Sequence, residues 1–458
     1  MSRPTAQGAR ATGTPRTGTS TVAAGHALPT PRAGRGARGA TPPTVTLDAP
    51  APRERGRLLG QWNSAVTSYY VLTGATALLL VIGLVMVLSS SSVDAISADK
   101  SPYADFLVQA QFALIGLPLL LVASRLPIKF FEGIAWVALG GSAALQLAVF
   151  IPGIGLSVLG NENWIHIGSF TAQPSELVKL ALAIWLGAVL ARKRPLLHEW
   201  KHALVPVVPV SGLMIGLVLI GHDLGTALIL FLLVAGAMFV AGVPLRMFAV
   251  AGGLAVVVVG ALTVFSANRT SRISSWLSSS CDDQGACYQT KHGIWGLATG
   301  GIGGLGLGGS REKWGYLPER HNDFIFAILG EELGLIGTLL VLLLFALLGL
   351  AMARIIRRHP DPFVKITTGA IMSWVIGQAL LNIAVVIGLA PVIGLPLPLV
   401  SSGGSALITT MAALGVVIAF ARDEPGAGEA LAARSGVVRR SLGVLSAARR
   451  ASVRTGRR

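Results

Sequence analysis

Four short segments combine ionisable and small polar residues in spacings that suit chemistry on a charged substrate. In the first segment, Pro174 suits the first turn of a helix, directly after Gln173. Glu176 and Lys179 follow three residues apart, so they share one face of that helix. Two interpretations stay open with similar weight. The pair either stabilises a helix bundle as an internal ion pair, or Lys179 faces a cavity and binds an anionic substrate.

Two further segments carry small or acidic residues at the start of apolar runs. Asp223 precedes such a run, where the helix dipole favours an acid, and a simple N-cap is the favoured interpretation. Ser401, Gly403 and Ser405 begin the other run. Small residues there expose backbone N–H groups, which is typical of anion binding. The alternative is a proline-stiffened turn with an N-cap serine.

The remaining segment, residues 310–324, carries Asp323 at the start of a long apolar run. An acid in this position is often only a helix cap. Here it follows a dense set of polar and charged residues: Ser310, Lys313, Glu319, Arg320 and His321. Cationic groups beside an acid suit general-base catalysis on a phosphorylated substrate, with Asp323 as the base.

The composition shows which elements position these segments. The chain has 458 residues, of which 52% are hydrophobic and only 13% charged, and its net charge is +16. An ordinary soluble domain carries about 25% charged residues. A disordered chain is far less apolar, and a nucleic-acid-binding protein is basic across a polar surface. These classes are therefore excluded, and a polytopic membrane protein remains.

We predict an all-α polytopic membrane protein with about ten transmembrane helices, because each span needs about 20 apolar residues. The predicted membrane catalytic domain covers residues 69–421, with one large extracytoplasmic loop, 268–322, between helices 7 and 8. The predicted spans are 69–89, 106–124, 132–151, 175–191, 204–220, 224–243, 247–267, 323–351, 367–389 and 404–421.

The distribution of basic residues predicts the orientation. Residues 1–68 form an Arg-rich tail that is too polar to bury a core and is predicted to be disordered, and residues 422–458 form a second basic tail. The positive-inside rule places both tails in the cytoplasm, which an even number of spans allows. All four polar segments then fall at the outer ends of spans. This shared location indicates an outward-facing active site.

The outer loop contains the two cysteines of the chain, Cys281 and Cys287. Outside the cell, two cysteines at this spacing favour a disulfide, and two free thiols are the alternative. The sequence contains no compact metal-ligand cluster. A divalent cation, Mg²⁺ or Mn²⁺, would therefore be held by a substrate pyrophosphate and one or two carboxylates.

The segments together resemble the SEDS family of polytopic cell-wall proteins, most closely its division branch, with the elongation branch as the near alternative. The resemblance covers about residues 65–422. Its motifs are Trp164-Ile165, Gln173-Pro174-Ser175-Glu176 with Lys179, Asp223-Leu224-Gly225-Thr226, Gly304-Leu305-Gly306-Leu307-Gly308 with Ser310 and Lys313, Tyr316-Leu317-Pro318-Glu319 with His321, Asp323-Phe324-Ile325-Phe326-Ala327, Gly330-Glu331-Glu332, and Gly394-Leu395-Pro396-Leu397-Pro398 with Ser401 and Gly403-Gly404-Ser405.

The resemblance implies a peptidoglycan glycosyltransferase of the cytoplasmic membrane, active at the division septum. Such enzymes polymerise lipid II, the undecaprenyl-pyrophosphate disaccharide-pentapeptide, on the outer face. They work with a class B penicillin-binding protein and other divisome proteins among the membrane lipids, and no nucleic acid is involved. The family's essential loop acid corresponds to Asp323 and its span-four lysine to Lys179. Lys313, Arg320 and Lys179 are the candidates for stabilising the leaving group.

Two alternatives belong to other functional classes. In a lipid II flippase, Lys179, Glu331 and Glu332 would line a translocation path near the membrane midplane. In a non-catalytic divisome scaffold, the basic tails would bind partners or anionic lipids. The clustering of polar segments at the outer ends favours extracytoplasmic chemistry over both.

Overall fold

The computed structural model describes residue 64, residues 66–158, 161–168 and 170–264, residue 276 and residues 287–433. Most of the predicted N-terminal tail therefore lies outside the described residues. Residues 434–458 of the predicted C-terminal tail also lie outside them. Of the predicted loop 268–322, residue 276 and residues 287–322 are described, so Cys281 lies outside the described residues as well.

The described chain is mainly helical. Its helices are α1 (Thr67–Ser97), α2 (Ala104–Ala123), α3 (Ile128–Ala148), α4 (Pro174–Lys193), α5 (Trp200–Leu204), α6 (Val207–Ile220), α7 (Leu224–Ala241), α8 (Leu245–Val264), α9 (Tyr288–Gly300), α10 (Ile325–Arg358), α11 (Pro362–Val386) and α12 (Gly404–Arg422).

Within the described ranges, nine helical segments are long and apolar enough to cross a membrane. They overlap nine of the predicted spans, and α5 and α6 together form one of them. The remaining predicted span, 247–267, overlaps α8, a helix of 20 residues. The prediction of a helical, multi-pass membrane protein is confirmed.

The prediction of an all-α fold needs one correction. Between α3 and α4 the chain forms a small antiparallel sheet of β1 (Gly155–Val158), β2 (Asn161–Ile167) and β3 (Phe170–Ala172), in the order β1-β2-β3. Along β2, Asn163 and Ile165 are buried, whereas Glu162 and His166 are exposed. This alternation is the strand period of two. A search for 20-residue apolar runs does not detect so short a strand.

Helix α10 differs from the predicted continuous span because it is broken in its interior. Gly334 has φ 67° and ψ −165°, which no helical residue adopts. The Gly-rich run 300–309, predicted as part of the outer loop, folds into this break. Leu305 N–H donates to Glu331 O (2.9 Å) and Leu335 N–H to Gly301 O (2.9 Å). These bonds satisfy the backbone groups that the break frees, as an apolar environment requires.

Helix α4 lies at the centre of the bundle, since fifteen of its twenty residues are buried. It packs against α3, α7, α11 and α12, while α10 packs against α1 and α11. The four predicted polar segments begin or precede α4, α7, α10 and α12. The packing therefore gathers them at one end of the bundle, which the charge pattern predicts to be the outer end.

Candidate active site

Gln173 joins three of the four polar segments. It precedes α4, where strand β3 delivers the chain to the helix. Its side-chain Nε2 donates to Asp223 Oδ2 (2.9 Å), and its backbone N–H donates to Ser405 Oγ (3.3 Å). Asp223 also caps α7, since its Oδ1 accepts from Thr226 N–H (2.8 Å). Asp223 Oδ1 therefore forms the predicted N-cap, whereas Asp223 Oδ2 links α7 to the start of α4 through Gln173.

Lys179 lies in a buried ion pair one turn further along α4. Its Nζ is 2.9 Å from Glu176 Oε1, and both side chains are at most 4% exposed. Lys179 Nζ also donates to Gln378 Oε1 (3.1 Å) and lies 4.9 Å from the centre of the Trp374 ring. Thr409 of α12 donates to Glu176 Oε2 (3.4 Å). The structure therefore places Lys179 in the internal ion pair, and its contact with substrate stays a prediction.

Asp323 is carried by a tight turn immediately before α10. The N-cap of α10 is Phe324, so Asp323 lies one residue before the cap, and its side chain is half-buried. Glu319 starts the turn with a left-handed φ of 53°. The Glu319 carbonyl accepts from the N–H groups of Asn322 (3.0 Å) and Phe324 (3.2 Å). Strained non-glycine residues persist only where the surrounding structure holds them in place, and they cluster at functional sites.

The segment before α12 forms hydrogen bonds with the same turn. Ser401 Oγ donates to Asn322 O (2.6 Å), and Ser402 N–H donates to His321 O (2.9 Å). Gly403 N–H donates to Gln109 Oε1 (3.2 Å). The backbone N–H of Gly403, predicted to bind an anion, is therefore directed at a protein acceptor. Ser401 and Ser402 therefore connect the segment before α12 to the Asp323 turn.

Two amides of α11 also contact this region, and the sequence reasoning missed both. Gln378 Nε2 donates to Pro396 O (2.8 Å). Asn382 Nδ2 donates to Asp323 O (2.7 Å) and to Leu395 O (2.7 Å). The sequence does contain a signal for them, because two amides four residues apart are unusual in an otherwise apolar span.

Ser310 and Lys313 lie in a second buried cluster against α10. Lys313 Nζ is 3.3 Å from Glu332 Oε1, and Ser89 of α1 donates to Glu332 (2.7 Å). Ser310 Oγ donates to Glu331 Oε2 (2.5 Å). These contacts anchor residues 310–313 to the broken part of α10. They also pair the positive charge of Lys313 with a carboxylate. From the sequence, this charge was predicted to stabilise the leaving group.

Arg320 and His321 lie on the Asp323 turn itself. Arg320 is buried, and its Nη1 donates to Leu317 O (3.3 Å). Burial lowers the pKa of His321 below its ordinary value of 6.5, although the Glu319 and Asp105 carboxylates oppose this effect. The imidazole is therefore mainly neutral at pH 7.

An apolar groove runs beside the polar residues, between α2, α3, α4 and α12. It consists of cavities of about 750 Å³ and about 330 Å³ that share Leu145 and Leu177. Among the described residues that line the larger cavity, Ser142 is the one polar residue, and the other side chains are aliphatic or aromatic. The smaller cavity reaches Gln173 and Ser405. The groove can therefore hold an apolar chain whose polar end meets these residues.

The remaining predicted features concern metals and cysteines. In the described residues, no group of three or more His, Cys, Asp or Glu side chains is arranged to hold a metal ion. Cys287 is disulfide-bonded, and Cys281 lies outside the described residues.

The fold and the site define a multi-pass membrane protein with a polar site at one end of its helix bundle and an apolar groove leading to it. Residues 70–425 match the FtsW/RodA/SpoVE family, described as "Cell cycle protein". The chain belongs to this family, and the SEDS resemblance drawn from its motifs is confirmed.

Several relatives support this assignment. The chain is 38% identical over 396 residues to the probable peptidoglycan glycosyltransferase FtsW of Mycobacterium tuberculosis, covering 86% of this chain and 75% of the relative. It is 35% identical to stage V sporulation protein E of Bacillus subtilis, covering 76% and 95%.

Solved structures give the same result. One is a chain from a peptidoglycan synthase complex that coordinates polymerization and crosslinking, with a TM-score of 0.64, 28% identity and coverage of 77% of this chain and 97% of that one. Another is the rod shape determining protein RodA of Thermus thermophilus, with a TM-score of 0.58, 27% identity and coverage of 78% and 97%.

Proposed function

We propose that this protein is a peptidoglycan glycosyltransferase that polymerises lipid II on the outer face of the cytoplasmic membrane during cell division. Relatives at 34–38% identity are named for this glycosyltransferase activity. The observation that carries the proposal is a set of hydrogen bonds that joins the four polar segments: Asp223 to Gln173, Gln173 to Ser405, and Ser401 to the Asp323 turn. An apolar groove reaches this set at Gln173 and Ser405.

In the proposed reaction, a sugar hydroxyl of one lipid-linked unit attacks the anomeric carbon of another. A glycosidic C–O bond forms, and the bond from the anomeric carbon to the pyrophosphate oxygen breaks. Asp323 takes the hydroxyl proton as general base. A half-buried carboxylate on a turn outside the helix suits this role, because it can reach substrate from the aqueous side.

The groove gives the substrate a defined orientation. Its apolar walls suit a polyprenyl chain, and the pyrophosphate would then lie near Gln173 and Ser405. Lys179 and Lys313 are already paired with Glu176 and Glu332. In this conformation they therefore offer little free charge to the leaving group.

Neutralisation of the pyrophosphate would then depend on Arg320, on backbone donors and on a divalent cation brought with the substrate. Asp223 fits such a cation only in part, because each of its oxygens already accepts a hydrogen bond from the protein. The substrate oxygens would have to supply most of the ligands.

The proposal extends to the partner and the location. A chain of this fold occurs in a peptidoglycan synthase complex, so we propose a class B penicillin-binding protein as the crosslinking partner. Both termini would lie in the cytoplasm, and the protein would concentrate at the septum with other divisome proteins. A tagged copy found along the side walls and absent from the septum would contradict the division assignment.

The direct test is polymerisation of purified lipid II by the purified protein in detergent, where translocation has no meaning. Asp323→Asn keeps the shape of the side chain but removes the base, so we expect glycan polymer on a gel to fall by 10²-fold or more. Glu162→Gln is the matched control, since Glu162 is an exposed carboxylate on β2, and it should polymerise at the wild-type rate. Polymerisation by Asp323→Asn at the control rate would refute the assignment.

A further inference from the structure

Asn382 is a buried amide that binds the main chain of Asp323. Its side chain is 1% exposed and lies in the outer half of α11. Its Nδ2 donates to the carbonyl oxygens of Asp323 and Leu395, both at 2.7 Å. Because both partners are acceptors, only the NH₂ side of the amide can face them. One side chain thus joins the Asp323 turn to the loop before α12.

Gln378 makes the equivalent contact one helical turn earlier. Its Nε2 donates to the carbonyl of Pro396, the residue after Leu395. Its Oε1 accepts from Lys179 Nζ (3.1 Å) and from Trp374 Nε1 (3.1 Å). Residues four apart lie on the same helix face. The two amides therefore form a short ladder that connects the buried Lys179 ion pair to residues 395–396, and these residues to Asp323.

The loop held by this ladder runs alongside the Asp323 carboxylate. Gly394 has a left-handed φ of 74°, and a Cβ atom at this position would lie 3.6 Å from Asp323 Oδ2. Ser401, in the same segment, donates to the carbonyl of Asn322. The main chain on either side of the carboxylate is thus fixed by α11 and by the segment before α12.

We propose that Asn382 is a positioning residue for Asp323, and that Gln378 fixes the position of residues 395–396 relative to the Lys179–Glu176 pair. This inference rests on the proposed role of Asp323 as general base. Asn382 acts through the Asp323 backbone and the adjacent loop. A displacement of about 1 Å at a reacting group is enough to reduce the rate about 100-fold. Loss of the amide should therefore lower turnover more than it weakens substrate binding.

The test compares three variants of the full chain in the lipid II polymerisation assay. Asn382→Leu removes the donor and keeps the γ-branched shape, and Asn382→Asp keeps the shape but turns an oxygen towards two carbonyl oxygens. Thr368→Val is the matched control, because Thr368 is also fully buried in α11. We expect both Asn382 variants to lose 10- to 100-fold in kcat with KM for lipid II changed less than about threefold, and the control to keep both values.

Stability and local dynamics separate positioning from unfolding. The thermal midpoint of Asn382→Asp or Asn382→Leu should fall, while amide exchange should rise selectively in residues 321–324 and at Gly394, Leu395 and Leu397. If neither variant yields folded protein, Ser401→Ala tests the same turn from α12 and should show the same fall in kcat with KM retained.

The outcomes distinguish this inference from the proposed function. Wild-type protein that fails to polymerise lipid II would refute the proposed function. Wild-type polymerisation that is lost in Asp323→Asn, together with folded Asn382 variants of unchanged kcat, would refute the positioning role alone. A proportional loss in the Asn382 variants and in Thr368→Val would refute it as well, because the effect would then be general to α11.

Discussion

Gly334 allows the sharpest test of the architecture, because the break in α10 depends on it. Its φ of 67° and ψ of −165° belong to a region that is essentially restricted to glycine. A Cβ atom there would meet the backbone of Gly304 and Ile302 in the Gly-rich run that fills the break. Gly334→Ala therefore introduces both backbone strain and a clash with main chain, which cannot move aside as a flexible side chain can.

The cost can be worked from these contacts. The conformational strain is about 1–3 kcal/mol. Four backbone hydrogen bonds join residues 301–306 to residues 331–336. Each contributes a net of about 0.5–1.5 kcal/mol, so the loss of two of them adds about 1–3 kcal/mol. We expect Gly334→Ala to lower the free energy of unfolding by about 2–6 kcal/mol.

Gly349 in the same helix is the matched control. A Cβ atom there would lie 3.6 Å and 3.8 Å from two Ile376 carbons, which is ordinary contact. Gly349→Ala should leave stability unchanged or raise it by up to about 1 kcal/mol, because alanine favours helix. The assay is denaturant unfolding in detergent micelles, with amide exchange of residues 301–313 as the local readout. Equal stability of the two variants would refute the account of the break.

Two further predictions concern the charged groups. Lys313→Met leaves the Glu332 carboxylate buried without its cation, so unfolding in detergent should become easier by about 3–5 kcal/mol. The double variant Lys313→Met/Glu332→Leu should recover much of this loss, and a double variant less stable than the single one would contradict the pairing. The lowered pKa of His321 means that the unfolded chain binds a proton more readily than the folded protein below about pH 6.5. Stability should therefore fall as the pH drops from 7 to 5, and His321→Gln should flatten this dependence in thermal unfolding. An identical pH profile for the variant would exclude His321 as its source.

Much of the fold could be predicted because its determinants are local. A span needs about 20 apolar residues whose backbone groups bond within the helix, and this requirement is visible in any window of the chain. The sheet 155–172 was missed because its strands are short and half-polar. The break at Gly334 was missed for another reason. Nothing in the run 325–358 shows that a distant Gly-rich segment supplies the missing backbone partners.

The candidate site could be predicted in its composition but not in its contacts. The motifs named Gln173, Asp223, Asp323 and Ser401, and the structure joins all four segments. Lys179 shows the limit of this reasoning. Its pairing with Glu176 follows from the helix period, but its contact with Gln378 spans 199 residues of chain. A buried lysine is either paired with a carboxylate of the protein or free to bind a substrate. Only the residues that lie beside it in space determine which.

The sequence by itself determined the membrane class, the family and the chemistry-bearing segments, because bilayer thickness and charge asymmetry act on each segment separately. The tertiary structure alone decided how these segments cooperate. It directs Asn382 at the carbonyl of Asp323, pairs Lys313 with Glu332, and opens the groove beside Gln173. Such contacts depend on how helices from distant parts of the chain pack together. No local pattern of residues specifies that packing.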